Sequence, residues 1–175
     1  YDGAWMAAPQ VYRIDPDGSI NLDYQAATRN QDETLLQTFR KVAFGDPGIG
    51  LDGPYCLTSF ADSTDDYASP IPLELHQRAG GSWSYETLPY FGASYLYSSA
   101  GQGLVASGGK LYALLTKSVY DPYSGDTTYS TILVRRDGVG SWSQVAEFAG
   151  RRLADYYTGG VAAMTTVGTH LVQEI

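Results

Sequence analysis

The chain is poor in the residues from which most small functional sites are made. Among its 175 residues there are one cysteine, Cys56, and two histidines, His76 and His170. A lone cysteine excludes an intrachain disulfide framework, and with so few histidines it leaves no ligand spacing for zinc. No metal and no cofactor is expected, and Cys56 reads as a small buried apolar residue on a strand. Lysine is scarce as well: 19 acidic side chains stand against 11 basic ones, for a net charge of −8. Phosphate binding needs clustered Lys and Arg, so a nucleic-acid partner is not expected. No apolar run approaches the roughly 18 residues that span a bilayer, which argues against membrane insertion. The chain opens on Tyr1-Asp2-Gly3 rather than methionine. That opening reads as a trimmed product whose signal peptide or neighbouring domains lie out of view, and the expected location is secreted, extracellular.

What the chain has in excess is tyrosine, with 15 copies, and glycine, with 20. That mixture favours a β-rich, turn-rich protein, and the length suits a single domain over residues 1–175. Its organising stretch runs from Leu133 to Gln144. Moved back by 59 residues without a gap it falls on Glu74 to Tyr85, and by 122 on Val11 to Leu22. Each copy has an apolar-rich strand, a turn ending in Gly18-Ser19, Gly81-Ser82 or Gly140-Ser141, and then Ile20, Trp83 or Trp142 at one shared position. Arg13, His76 and Arg135 share another. The two tryptophans follow Gly-Ser at the same point of their repeats, which assigns them to packing. Asp15-Pro16-Asp17-Gly18 has a faint likeness to a calcium loop but lacks the later acidic ligands, so it reads as a hairpin turn.

A second kind of hairpin alternates with the first. Type-one hairpins fall at 11–24, 72–89 and 131–148, and type-two hairpins at 42–59, 104–117 and 161–174. Between the first two, Asn30 to Lys41 is the one helix expected, because Leu35, Leu36 and Phe39 share a helical face and Asn30 with Glu33 fits a capping box. Six hairpins make three four-stranded units of about 58 residues, and sequence periods of this order mark repeat architectures. Strands such as Thr131-Ile132-Leu133-Val134 are apolar on both faces, as blades stacked between blades require. The expected fold is therefore all-β and β-propeller-like, with three blades per chain. Because propellers typically have 4 to 8 blades, the chain either forms a six-bladed ring as a homodimer or is part of a longer propeller with other domains. A β-sandwich or jelly roll is the alternative.

Within a propeller the connections between hairpins gather on one rim, and these segments carry ten of the tyrosines. Tyr95, Tyr97, Tyr120, Tyr123, Arg151, Arg152, Asp155, Tyr156 and Tyr157 are the candidate ligand-binding residues. Aromatic faces pack on C–H surface while neighbouring polar groups take up hydroxyls, a combination suited to a carbohydrate or cell-surface glycan. No catalytic residue is assigned. Two histidines give no credible Ser-His pairing, the glycine-rich stretches lack a phosphate-loop lysine, and any carboxylate pair for glycoside hydrolysis would be an arbitrary choice. Binding is thus favoured over catalysis, with a glycoside hydrolase or sialidase-type enzyme, or a structural adhesion domain, as the other readings.

Two families are similar in these hairpins. Arg135-Arg136-Asp137-Gly138-Val139-Gly140-Ser141-Trp142 resembles the Asp-box of sialidase-type propellers, with Asp137 and Trp142 at the matching separation. Val11 to Ile20 is similar to the hairpin of fungal fucose-binding lectins, which are six-bladed propellers. Both resemblances cover about a dozen residues per repeat and imply a propeller, and no ligand residue is carried over from either family.

Overall fold

The computed structural model describes residues 10–25, 35–43, 55–62, 73–97, 104–149, 164–167 and 170–173. Among them the protein is all-β, without a helix, and every strand pairing is antiparallel. The strands are β1 (Gln10–Ile14), β2 (Ile20–Gln25), β3 (Leu35–Ala43), β4 (Tyr55–Asp62), β5 (Glu74–Ala79), β6 (Ser82–Thr87) and β7 (Tyr95–Tyr97). They continue with β8 (Leu104–Ser107), β9 (Lys110–Tyr120), β10 (Thr127–Gly138), β11 (Ser141–Ala149), β12 (Met164–Val167) and β13 (His170–Gln173).

The consecutive strand pairs β1–β2, β3–β4, β5–β6, β8–β9, β10–β11 and β12–β13 are antiparallel neighbours. Each type-two hairpin that is followed by a type-one hairpin joins it in one sheet: β3–β4–β5–β6 is a four-stranded meander, and β8–β9–β10–β11 is the body of a five-stranded sheet. The fifth strand is β7, which pairs with Thr116 to Ser118 of β9, whereas β8 pairs with Lys110 to Ala113 on the same edge. The hairpins β1–β2 and β12–β13 each form a separate two-stranded sheet. The first strands of the three successive units lie together, with β8 against both β3 and β12.

Three readings of the sequence need correction. The helix expected over Asn30 to Lys41 is overturned where the structure describes it: Leu35–Ala43 is strand β3, paired from Leu35↔Asp62 to Ala43↔Tyr55. A cluster of three apolar residues satisfies a helical face and a strand equally, and the β-branched and aromatic residues Thr38, Phe39 and Val42 find their pairing partner in β4. Asn30 to Thr34 lie outside the described residues. The connection expected between the hairpins at 104–117 and 131–148 is mostly strand, because β9 and β10 run on to Tyr120 and back from Thr127 around a six-residue turn.

The third correction concerns the gapless repeat. Arg78 stands opposite Trp83, as Ile14 stands opposite Ile20 and Arg136 opposite Trp142. The middle turn is therefore one residue shorter than the others, since Gly80 and Gly81 close it alone with φ of 56° and 83°. Two successive positive-φ positions make the tight turn that matches strand twist, and glycine supplies them without steric cost. Gln77, not His76, is consequently the counterpart of Arg13 and Arg135, and Arg78 becomes the counterpart of Arg136.

The core lies between the two large sheets. Leu73, Leu75 and Leu88 come from one, and Leu96, Leu104, Leu111, Ala113, Leu115, Ile132 and Val134 from the other. Register explains the selection: Leu115↔Ile132 and Ala113↔Val134 are directly opposed, so their side chains share one face of the pleat. The opposite face is also covered at Leu114, Thr116 and Thr131, so the middle of β9 and β10 is buried on both sides. Burial then falls away towards β11, as it does from β5 to β6.

Candidate functional site

Two kinds of place concentrate polar and aromatic groups: the β9–β10 turn and the seams between type-one hairpins. The turn is Asp121-Pro122-Tyr123-Ser124-Gly125-Asp126. Asp121 N–H donates to the Asp126 carbonyl and Gly125 N–H to the Asp121 carbonyl, at 2.8 and 2.9 Å. The Asp121 carboxylate accepts the Tyr123 N–H at 2.9 Å and the Ser124 hydroxyl at 3.0 Å. Those bonds hold its pKa below the usual carboxylate value, and they fix the turn with little help from packing. Tyr123 stands at its tip with 98% of its surface exposed, and Tyr120 at its base is 49% exposed. The Tyr120 N–H donates to Ser94 Oγ at 3.0 Å, and Tyr95 is paired with Ser118 and Tyr97 with Thr116. Four of the candidate residues, Tyr95, Tyr97, Tyr120 and Tyr123, are thus gathered by backbone pairing at one end of the β7–β9–β10 sheet. Arg151, Arg152, Asp155, Tyr156 and Tyr157 lie outside the described residues.

The seams carry residues that the repeat comparison missed. Where β1–β2 meets β5–β6, Trp83 Nε1 donates to Asp23 Oδ2 at 2.8 Å. Arg78 Nε lies 3.2 Å from the same oxygen, an ion pair without hydrogen-bond alignment. The Tyr24 ring stacks on Trp83 with centroids 4.5 Å apart, and the Tyr24 hydroxyl is 2.8 Å from His76 Nδ1. Where β5–β6 meets β10–β11, Glu86 takes the place of Asp23. It accepts Arg136 Nε and Nη2 at 2.8 and 2.9 Å, Trp142 Nε1 at 2.7 Å and the Gly140 N–H at 2.8 Å. Burial raises the Glu86 pKa, but these donors outweigh it and leave the carboxyl below its ordinary value of 4.5.

Each seam is therefore one set of parts: an acid near the end of one hairpin, with an arginine and the tryptophan opposite it on the next. The sequence signal was within reach, because the repeated window stops at Leu22 and Tyr85, one residue before Asp23 and Glu86. Trp83 and Trp142 are accordingly packing residues with a bound indole N–H. Asp15 and Asp137 serve the turns instead. Asp15 takes Arg13 and Asn21, and Asp137 takes Arg135 and Ser143, again at matching repeat positions. Glu86 is saturated by four donors, which suits a structural strut better than a ligand or proton-transfer group.

No family model matches the chain, and no curated protein or solved structure matches it either.

Proposed function

We propose that the protein is a secreted, lectin-like β-propeller module that binds a carbohydrate or cell-surface glycan through its tyrosine-bearing rim. Three features support the propeller reading: the meander order of the sheets, the gathering of β3, β8 and β12, and the side-chain bonds that join successive type-one hairpins across the two seams. Two chains complete a six-bladed ring when β1–β2 of each supplies the outer strands for β12–β13 of the other. The single observation that carries the binding reading is Tyr123, an aromatic ring held almost wholly in water by a turn braced at both ends. With Tyr120 and Ser94 at its base and Asp121 and Ser124 within it, the turn offers ring faces for sugar C–H surface and acceptors for hydroxyls.

A glycan array read together with chromogenic glycosides tests this function. Array binding that disappears in the Tyr120→Ala/Tyr123→Ala variant, with no turnover of any glycoside, is the expected result. Turnover would replace it with a glycosidase reading, and silence in both assays would leave a protein-binding adhesion domain.

A further inference from the structure

Successive type-one hairpins are joined through two corresponding sets of parts, and the chain carries a third set with every member altered. The three positions are the acid of one hairpin and the opposed arginine and tryptophan of the next. In the first seam they are Asp23, Arg78 and Trp83, and in the second Glu86, Arg136 and Trp142. The remaining acid position is Val145, and the remaining opposed pair is Ile14 with Ile20.

Geometry supports the equivalence independently of sequence. The β1–β2 pairing shifts register between Val11 and Tyr12, leaving Asp23 as the extra residue of the bulge. The β10–β11 pairing shifts between Leu133 and Val134, leaving Val145 in that place, and these positions are 122 residues apart in each case, as the repeat demands. Asp23 uses this place to reach across to the next hairpin, whereas Glu86 does so from a position paired regularly with Leu75; Val145 stands in the place of Asp23 and is exposed.

All three positions of the altered set are exposed. Val145 is 48% exposed, Ile14 72% and Ile20 66%, and Tyr12 and Leu22 flank the isoleucines at 55% and 51%. An acid lost alone would strand a buried arginine and indole. The loss of all three together is what a seam converted from ionic to apolar requires.

We infer that the open face of β10–β11 docks on the open face of β1–β2 of a second copy of this chain, with Val145 packed between Ile14 and Ile20. This assignment rests on the ring reading above and fixes which faces meet in it. A two-fold dimer forms the seam twice, each chain giving its Val145 face to the other's Ile14–Ile20 face. The apolar set also makes this seam distinct from the other two, because Val145 placed against Arg136 and Trp142 would leave a buried charge and an indole N–H unpaired.

The test exchanges the parts. Light scattering on the unaltered chain is expected to give a mass near twice 18.9 kDa. Val145→Glu alone buries an unpaired carboxylate at both seams, and Ile14→Arg/Ile20→Trp alone buries an unpaired guanidinium. Each is expected to weaken the dimer by about 100-fold or more. A mixture of the two variants has a matched acid–Arg–Trp set at one seam and the native apolar set at the other, so it is expected to recover a dimer containing one of each. Co-expression with two different tags gives the same readout if either variant fails to accumulate alone. A chain that stays monomeric overturns the shared ring and this seam together. A dimer indifferent to all these substitutions overturns the seam and leaves the shared ring standing, and failure of the mixture to recover a dimer likewise overturns the seam.

Discussion

The Glu86 strut allows a sharp test of how the hairpins are held together. Glu86 and Arg136 are each 8% exposed, and the carboxylate receives two donors on each oxygen, Arg136 Nε with Trp142 Nε1 on Oε1 and Arg136 Nη2 with the Gly140 N–H on Oε2. Glu86→Gln keeps the shape and removes the charge. Whichever way the amide is turned, its NH2 group faces two N–H donors, and the guanidinium loses its counter-charge. Removing one partner of a buried ion pair costs about 3–5 kcal/mol, a large share of the roughly 5–15 kcal/mol that a domain has. At about 2–4 °C per kcal/mol for a chain of this size, the melting midpoint falls by about 6–20 °C. Urea unfolding at neutral pH measures the same loss as a lower midpoint at unchanged slope.

The pH dependence supplies a second readout of that substitution. A carboxyl depressed in the folded state contributes stability that is present above its unfolded value, ordinarily 4.5, and that is lost as the pH falls through the lower folded value. The unaltered protein should therefore lose stability below about pH 4.5, and Glu86→Gln should lose less over the same interval. A triple change, Glu86→Leu with Arg136→Met and Trp142→Phe, should recover most of the loss, since an apolar set of similar volume replaces a buried pair at little cost. A decrease under about 1 kcal/mol for Glu86→Gln, together with an unchanged acid limb, would refute the reasoning by showing that the seam is wet and weakly coupled.

Other outcomes can be checked on the same protein. Trp83→Phe should cost about 1–2 kcal/mol in urea unfolding, because the ring stays on Tyr24 while the half-buried hydrogen bond to Asp23 is lost. Gly140→Ala should cost about 1–2 kcal/mol by the same measurement, since φ is +67° at that position and an L-residue is strained there. Leu115→Ala, at a fully buried site of the core, should cost about 2–5 kcal/mol. Tyr120→Ala/Tyr123→Ala should leave the melting midpoint within about 2 °C while removing glycan binding. A large drop in the midpoint would mean that these rings brace the turn.

The hairpins were legible in the sequence because turn chemistry is local. Asp15-Pro16-Asp17-Gly18 and Gly80-Gly81 declare their turns whatever surrounds them, and the alternation of two hairpin types predicted which strands share a sheet. Segments whose state is decided by a distant partner were harder to read. Leu35, Leu36 and Phe39 carry no information that separates a helix from a strand until β4 is alongside, and Ser118 to Tyr120 is strand because Thr127 to Tyr129 lies opposite it. The gapless repeat hid a one-residue difference in turn length, which moved Arg78 away from its counterpart Arg136 and concealed the seams. The candidate binding tyrosines were legible as composition only. Tyr123 is a candidate because it falls in a connection between hairpins, and its exposure follows from a turn that Asp121 closes with its own side chain.

The seams also bear on how such a chain can grow. A unit that carries an acid on one side and an arginine with a tryptophan on the other is a valid neighbour for an identical unit. Duplication of one stretch of coding sequence therefore delivers both halves of a working contact at once, and neither existing neighbour has to change. Selection can then act on the connecting loops of the new copy while its attachment is already secured by Glu86-like and Trp142-like side chains.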